Sequence, residues 1–379
     1  MKKEKTIDII IIIIFLIILF APSILFFFLK DKIGVDKSEN RKLAKKPQIE
    51  IKTIIQYPEL YNTYYNDNFP FRGNIKKIWT DINFWIFGDS TSKKVLIGKK
   101  ENENMRKTWL FYCASEDGNP VEEAQGINQF SDLRKNQMYD IIVSNTKELE
   151  KRNIRAYYLI CPNKENIYKE KLPDLVKIFS ESKTDKLVKE LQEKGITNII
   201  YPKEELMNEK KNGQLYYKQD THWNSHGAYI GFKKAMSIIE PNYQEPNYQI
   251  EEKKDVVENR DLVHMLGKND FFLDDEPIVK IEGDGQYKTN TIKTATNDIT
   301  ITENENADFS DTIMIIGDSY RSATIPFFAK TYKKCVFLHR ADFKNEMINE
   351  YMPNVVIFEN VERYTEGAIK QIKIKEEGL

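Results

Sequence analysis

Ser319 lies in the run Thr312-Ile-Met-Ile-Ile-Gly-Asp-Ser-Tyr-Arg321, where a short apolar segment stops at Gly317 and a turn-prone triplet follows. A strand buried on both faces and ending there would deliver the hydroxyl to the carboxyl edge of a parallel sheet, where α/β folds hold ligands. The next helix would begin at that edge, and its first N–H groups and dipole suit a developing oxyanion. The same Gly-Asp-Ser triplet also reads as a plain helix cap, with Ser319 closing the first turn.

A serine nucleophile needs a base. The chain has four histidines, His222, His226, His264 and His339. His222 stands two residues after Asp220 in Asp220-Thr-His-Trp223, just ahead of a helical stretch. Residues two apart in extended chain point to one side, so Asp220 can hold one ring nitrogen while the other faces the serine. The order Asp, His, Ser is no obstacle, because such triads are defined by geometry. His222 and His226 also have metal-pair spacing, with Asp220 as a third ligand. The Glu of a His-Glu-x-x-His motif is missing and His222 precedes the helix that carries His226, so no metal and no other cofactor is expected. His264 and His339 read as structural.

The elements that must position these groups follow from periodicity. Helical spacing covers about 131–152 and 181–194, the latter closed by Gly195, and strands are expected over Ala156–Ile160 and Thr197–Tyr201. Asn224 or Ser225 caps a helix to about Ile239, on which Tyr229, Phe232, Ala235, Met236 and Ile239 share a face. Apolar runs at Thr312–Ile316, Val336–Leu338 and Val355–Phe358 are strands buried on both faces. The alternation predicts a three-layer α/β/α sandwich with a mainly parallel sheet. Residues 245–310, polar and alternating, predict a β-rich insertion. The aromatic-dense stretch Tyr57–Phe87 predicts core packing, broken by Pro70.

Composition sets the limits. The 379 residues carry 57 Lys+Arg against 58 Asp+Glu with 41% hydrophobic residues, which excludes a disordered chain and gives no electrostatic reason to bind nucleic acid. Cys113, Cys161 and Cys335 are odd in number and far apart, so neither a disulfide framework nor a cysteine metal site is expected. Ile9–Leu29 is uncharged and apolar, and its 21 residues reach about 30 Å as a helix, the thickness of a bilayer core. Lys2, Lys3 and Lys5 precede it. The expected organisation is a cytoplasmic N-terminus and uncleaved transmembrane helix over 1–30, a juxtamembrane and aromatic-rich part over 31–127, and a catalytic domain over 128–379 on the extracytoplasmic side.

Taken in order, these blocks resemble the alginate O-acetyltransferase family (AlgJ/AlgX-like) and the related DHHW proteins, which have SGNH-hydrolase-like domains. The pieces that carry the resemblance are the apolar N-terminus, Glu39-Asn-Arg41, Asn68-Phe-Pro-Phe-Arg72, Cys161-Pro-Asn-Lys164 with Ile167-Tyr168, Asp220-Thr-His-Trp223 with Gly227, Asp261-Leu262 with Gly267, Gly317-Asp-Ser319 with Pro326-Phe327, and Val361-Glu-Arg363. Thr221 stands where the DHHW pattern has His. The resemblance implies Ser319 as nucleophile, His222 as general base and Asp220 as its orienter, in a permuted order relative to ordinary SGNH hydrolases. The N–H groups of Ser319 and Tyr320 would hold the oxyanion, with Arg321 as an added electrostatic partner and Lys164, Arg72 and Arg363 as candidate cleft residues. It also implies an O-acetyltransferase acting on an exopolysaccharide or cell-wall polymer, supplied by a multipass acyltransferase partner in the membrane. An esterase of the same fold, and a catalytically silent polysaccharide-binding subunit, are the competing readings.

Overall fold

The computed structural model describes residues 2–29, 44–69, 72–84, 92–99, 104–256, 260–268, 271–282, 286–294 and 297–375. They divide into two compact units, Met1–Asp89 and Ser90–Leu379. Glu39-Asn-Arg41 and Pro70-Phe71, with Trp85 and Phe87 of the aromatic stretch, lie outside the described residues.

The first unit holds the helix Lys2–Leu29, a 3-10 turn Ile51–Thr53 and the helices Tyr57–Asp67 and Arg72–Ile82. Within the first helix, Ile9–Phe26 is long and apolar enough to cross a membrane. The second ends before Pro70: the Asn68 side-chain amide donates to the carbonyls of Tyr64 (2.9 Å) and Ala44 (3.0 Å), while buried Asp67 accepts from the Ala44 N–H at 2.8 Å. The aromatic stretch does not form the expected core. Phe84 is buried, but Tyr57, Tyr61, Tyr64, Tyr65 and Phe69 are half-buried and Trp79 is exposed. Helical spacing reports which residues share a face and is silent on what covers that face.

The second unit is built on a mixed seven-stranded sheet. In chain order its strands and those of two small ribbons are β1 (Val95–Ile97), β2 (Leu110–Tyr112), β3 (Arg155–Cys161), β4 (Ile199–Ile200), β5 (Tyr248–Val256), β6 (Asp274–Ile281), β7 (Lys288–Lys293), β8 (Asp298–Glu303), β9 (Phe309–Gly317), β10 (Tyr332–His339) and β11 (Val355–Val361). The sheet runs β4-β3-β11-β9-β10-β8-β7; β1 pairs with β2 and β5 with β6 in separate ribbons. Pairings from β4 to β10 are parallel, and β8 and β7 join antiparallel. Residues 245–310 therefore supply one ribbon and also the antiparallel edge of the main sheet.

Strand periodicity explains the packing. Ile313, Ile315, Phe337, Val355 and Ile357 feed one apolar core, while Met314, Ile316, Val336, Val356 and Phe358 feed another on the opposite face. Each such aliphatic side chain contributes about 1.5–3 kcal/mol by burial. The helices fall where their caps put them. Ser131 caps Asp132–Glu150; Ser182 and Asp185 form a capping box for Lys183–Glu193; Gly195 follows that helix at a φ of +82°; and Asn224 caps Ser225–Ile239, accepting from the N–H groups of His226 and Gly227.

Candidate active site

The serine turn is held from below. β9 ends at Gly317, whose missing side chain is required: a Cβ there would come 2.0 Å from Glu359 Oε2. The Asp318 N–H donates to that same Glu359 oxygen at 2.9 Å. Burial, aided by the neighbouring Asp318 charge, pushes the Glu359 carboxyl well above its ordinary range. Asp318, not Ser319, caps the following turn: its carboxylate accepts from the N–H groups of Tyr320 (3.0 Å) and Val361 (2.8 Å) and from Arg340 Nη1 (3.3 Å). That turn is a 3-10 helix, Ser319–Thr324, before an α-helix takes over at Ile325. With Asp318 as cap, the Ser319 hydroxyl is left exposed and uninvolved in the turn.

The histidine rides on a hairpin-like loop. The Asn224 N–H donates to the Leu215 carbonyl at 2.9 Å, Tyr216 and Trp223 form an antiparallel bridge, and the Tyr217 N–H reaches the His222 carbonyl at 3.3 Å. Trp223 packs closely on the next helix because Gly227 and Gly231 leave room for it. A Cβ at Gly231 would stand 2.7 Å from the indole, and one at Gly227 would stand 2.2 Å from the Leu215 carbonyl oxygen. Lys164 fastens the loop from inside. Its wholly buried ammonium donates to the carbonyls of Tyr217 (3.1 Å), Lys218 (3.0 Å) and Asp220 (2.6 Å), and burial lowers its pKa from the ordinary lysine value.

Tyr320 joins the two carriers. Its buried hydroxyl donates to the Thr221 carbonyl, its own carbonyl accepts from the Trp223 indole N–H at 3.0 Å, and its ring lies 4.9 Å from the His222 ring centre. His222 Nδ1 is then 2.6 Å from Asp220 Oδ1, and Nε2 is 2.6 Å from Ser319 Oγ. The Asp220 contact places the ring proton on Nδ1 and leaves Nε2 to accept from the serine. Burial opposes the imidazolium, but the hydrogen bond and charge of Asp220 outweigh it and raise His222 above its ordinary value. Burial likewise opposes the Asp220 carboxylate, yet the hydrogen bonds from His222 hold it well below the usual carboxylate range. This arrangement can take a proton from a serine hydroxyl and keep the resulting imidazolium paired.

Of the residues named from sequence, Asp220, His222 and Ser319 come together. Five others have different places. The Tyr320 N–H, expected at the oxyanion, is already given to Asp318, so among these two amides the Ser319 N–H is the one left for a substrate oxygen. Lys164 is inside the histidine loop and lines no cleft. Arg363 is stacked among the rings of Tyr112, Tyr320 and Tyr364 with Nη1 3.4 Å from Asn163 Oδ1. Arg321 donates through Nη1 to the Asp318 carbonyl and faces a side cavity of about 490 Å³, shared with Asn297, Thr300 and Ser322. Arg72 begins a helix of the first unit.

Asp261 belongs to a motif, Asp261-Leu262, to which the sequence assigns no role. Its N–H donates to Asp220 Oδ2 at 3.1 Å, its carboxylate accepts from the Thr221 N–H and hydroxyl, and one of its oxygens is 3.9 Å from His222 Nδ1. Burial and the Asp220 charge raise its pKa. No spacing signal could have placed it, since it reaches the loop from 40 residues away. Asp220, His222 and Asp261 are also the described residues whose metal-ligating atoms gather within 4.8 Å. His226 is elsewhere, wholly buried with Nε2 3.3 Å from Glu209.

The sequence matches the family described as the SGNH hydrolase-like domain of the acetyltransferase AlgX over residues 106–329. Among proteins of curated function, none matches it by sequence. Three solved structures share the fold. Bacillus cereus PatB1 is 17% identical, with a TM-score of 0.54 over 74% of this chain and 100% of that one. PatB1 with a sulfonyl adduct gives 16% and 0.53 over 70% and 95%. A DHHW family protein from Eubacterium siraeum gives 15% and 0.52 over 74% and 100%.

Proposed function

Because the chain belongs to the SGNH hydrolase-like acetyltransferase family of AlgX, we propose that it is a serine-dependent O-acetyltransferase. The observation that carries this reading is the His222 ring set between Asp220 and an exposed Ser319 hydroxyl at 2.6 Å on either side. Ser319 Oγ attacks the carbonyl carbon of an acetyl donor as His222 Nε2 takes its proton. The Ser319 N–H holds the tetrahedral oxyanion, and collapse expels the donor's leaving group, which receives the proton from His222. An acceptor hydroxyl then attacks the acetyl-serine, passing its proton to His222, and Ser319 leaves with that proton. Asp220 stays ionised throughout, fixing the ring and pairing with the imidazolium.

The same proposal extends to place and partners. The helix Lys2–Leu29 is a single-pass anchor with its lysine-led N-terminus in the cytoplasm, and the SGNH-like unit, its mainly parallel sheet sandwiched between helices, stands outside. A multipass membrane partner supplies the acetyl group, and the acceptor is an exopolysaccharide or cell-wall polymer. The uncharged span supports the anchor, and the motif resemblance drawn from the sequence supports the partner and the acceptor. The test is competition for the acetyl-enzyme: the detergent-solubilised full chain is given p-nitrophenyl acetate with and without soluble oligosaccharides. Acetylated sugar formed by the wild type and lost in Ser319→Ala supports transfer; acetate alone at every sugar concentration points to an esterase.

A further inference from the structure

The first unit leaves much of its apolar surface uncovered. On the helix Arg72–Ile82, Ile75, Ile78, Trp79 and Ile82 follow the i, i+3, i+4, i+7 spacing of a single helix face and are 51%, 58%, 59% and 39% exposed. Upstream, Ile51 and Ile55 are 95% and 92% exposed. A stripe of three isoleucines and a tryptophan facing water is a cost that a folded chain avoids unless something covers it.

The surrounding residues indicate what covers it. Phe26, at the end of the apolar window Ile9–Phe26, packs against the rings of Tyr64 and Tyr65 at centroid distances of 6.0 and 4.6 Å. The helix Tyr57–Asp67 is thereby tied to the level where the span ends. It carries a row of tyrosines, Tyr57 stacked on Tyr61 at a ring-centre distance of 6.0 Å and Tyr61 tilted against Tyr64 at 5.9 Å. Tyrosine and tryptophan are the residues that collect at membrane interfaces, where an apolar ring meets a wet edge. Five residue steps separate Asp67 from Arg72, a reach of at most roughly 18 Å, so the exposed stripe begins near the same level. The stripe's own helix has three basic residues to one acidic, which suits an anionic headgroup layer.

We propose that residues 49–69 and 72–82 form a collar lying in the headgroup region of the leaflet beside the apolar span, with Ile75, Ile78, Trp79 and Ile82 inserted among the acyl chains. The collar rests on the reading of Lys2–Leu29 as a membrane anchor.

Brominated-lipid quenching reads the collar directly. The full chain carries four tryptophans, of which Trp109 and Trp223 are buried. A Trp85→Phe variant is reconstituted, one copy per nanodisc, in phosphatidylcholine and phosphatidylglycerol, with bromine at shallow acyl positions. Its emission is compared with that of Trp79→Phe/Trp85→Phe. The collar predicts that bromine removes about one third of the emission, one tryptophan of three, and that the added Trp79→Phe abolishes this loss. Quenching that is absent, or equal in both variants, overturns it and assigns the stripe to a protein partner. Alkaline carbonate extraction of the same chain tests the anchor separately. A chain that resists extraction while Trp79 stays unquenched keeps the anchor and loses the collar.

Discussion

Two polar clusters lie inside the second unit, and they are built to opposite ends. Around Glu362 every valence is filled. Its carboxylate accepts from the Asn163 N–H at 2.7 Å, the Asn166 amide at 2.9 Å, the Ser182 hydroxyl at 3.0 Å and the Tyr201 hydroxyl at 3.1 Å, with no exposure of its own. Around His222 the chain of hydrogen bonds runs outward and ends on a serine that faces solvent. A closed network cross-links β11 to the segments beside β3 and gains stability from satisfied burial. An open one holds two groups rigidly and leaves the third reactive. Polar residue types are alike in the two; an unfilled terminus is what separates a site from a staple.

The contrast breaks most visibly at the open end. Ser319→Ala and His222→Ala each lower p-nitrophenyl acetate turnover about 10⁴-fold or more, with unfolding temperatures unchanged within a few degrees. Asp220→Asn costs roughly 10³–10⁴-fold through loss of the tautomer and of the charge that stabilises the imidazolium. At the closed end the expected effect is on stability. Glu362→Ala strands four donors and destabilises by about 3 kcal/mol, read in a denaturant titration, while the turnover of the folded fraction persists.

The pH profile sharpens the comparison. His222 acts as a base only when neutral, and its pKa is raised in the folded protein. The rise of kcat/KM with pH should therefore be complete only above about 6.5, and Asp220→Asn should move that limb to lower pH, because burial is then opposed by the Asp261 charge alone. The signs for stability follow. The contribution of His222 is full below about 6.5 and fades as pH climbs through its raised value; that of Asp220 is full above about 4 and is lost as pH falls through its depressed value. The smallest effect belongs to Arg321→Ala, within about threefold in turnover, since the guanidinium looks into a side cavity.

The triad was legible because each member sits in a local signal: an apolar strand that stops at Gly-Asp-Ser, and an Asp-x-His just before a helix capped by Asn224. The helices with Ser and Asn caps, and the strands buried on both faces, were legible for the same reason, since period and cap are written in neighbouring residues. What joins distant segments was not. Asp261 meets Thr221 from 40 residues away, Lys164 reaches three carbonyls of the histidine loop, and Glu359 sits beneath Gly317. Lys164 and Arg363 are candidate cleft residues from the sequence, with a structural role as the other reading, and the structure puts both charges to use within the protein. Asp318 took the cap expected of Ser319 because its carboxylate lies one residue earlier and can also bind Val361 and Arg340.

The central claim is that Ser319 carries the acetyl group. Intact-protein mass spectrometry after a brief acid quench, with p-nitrophenyl acetate as donor, tests it most directly. The wild-type chain should gain a single acetyl group, located to the peptide containing Ser319. Ser319→Ala should gain none, and Asp220→Asn should gain it far more slowly. A wild-type chain that turns over donor without acetylating Ser319, or a Ser319→Ala chain labelled to the same extent, would contradict the account.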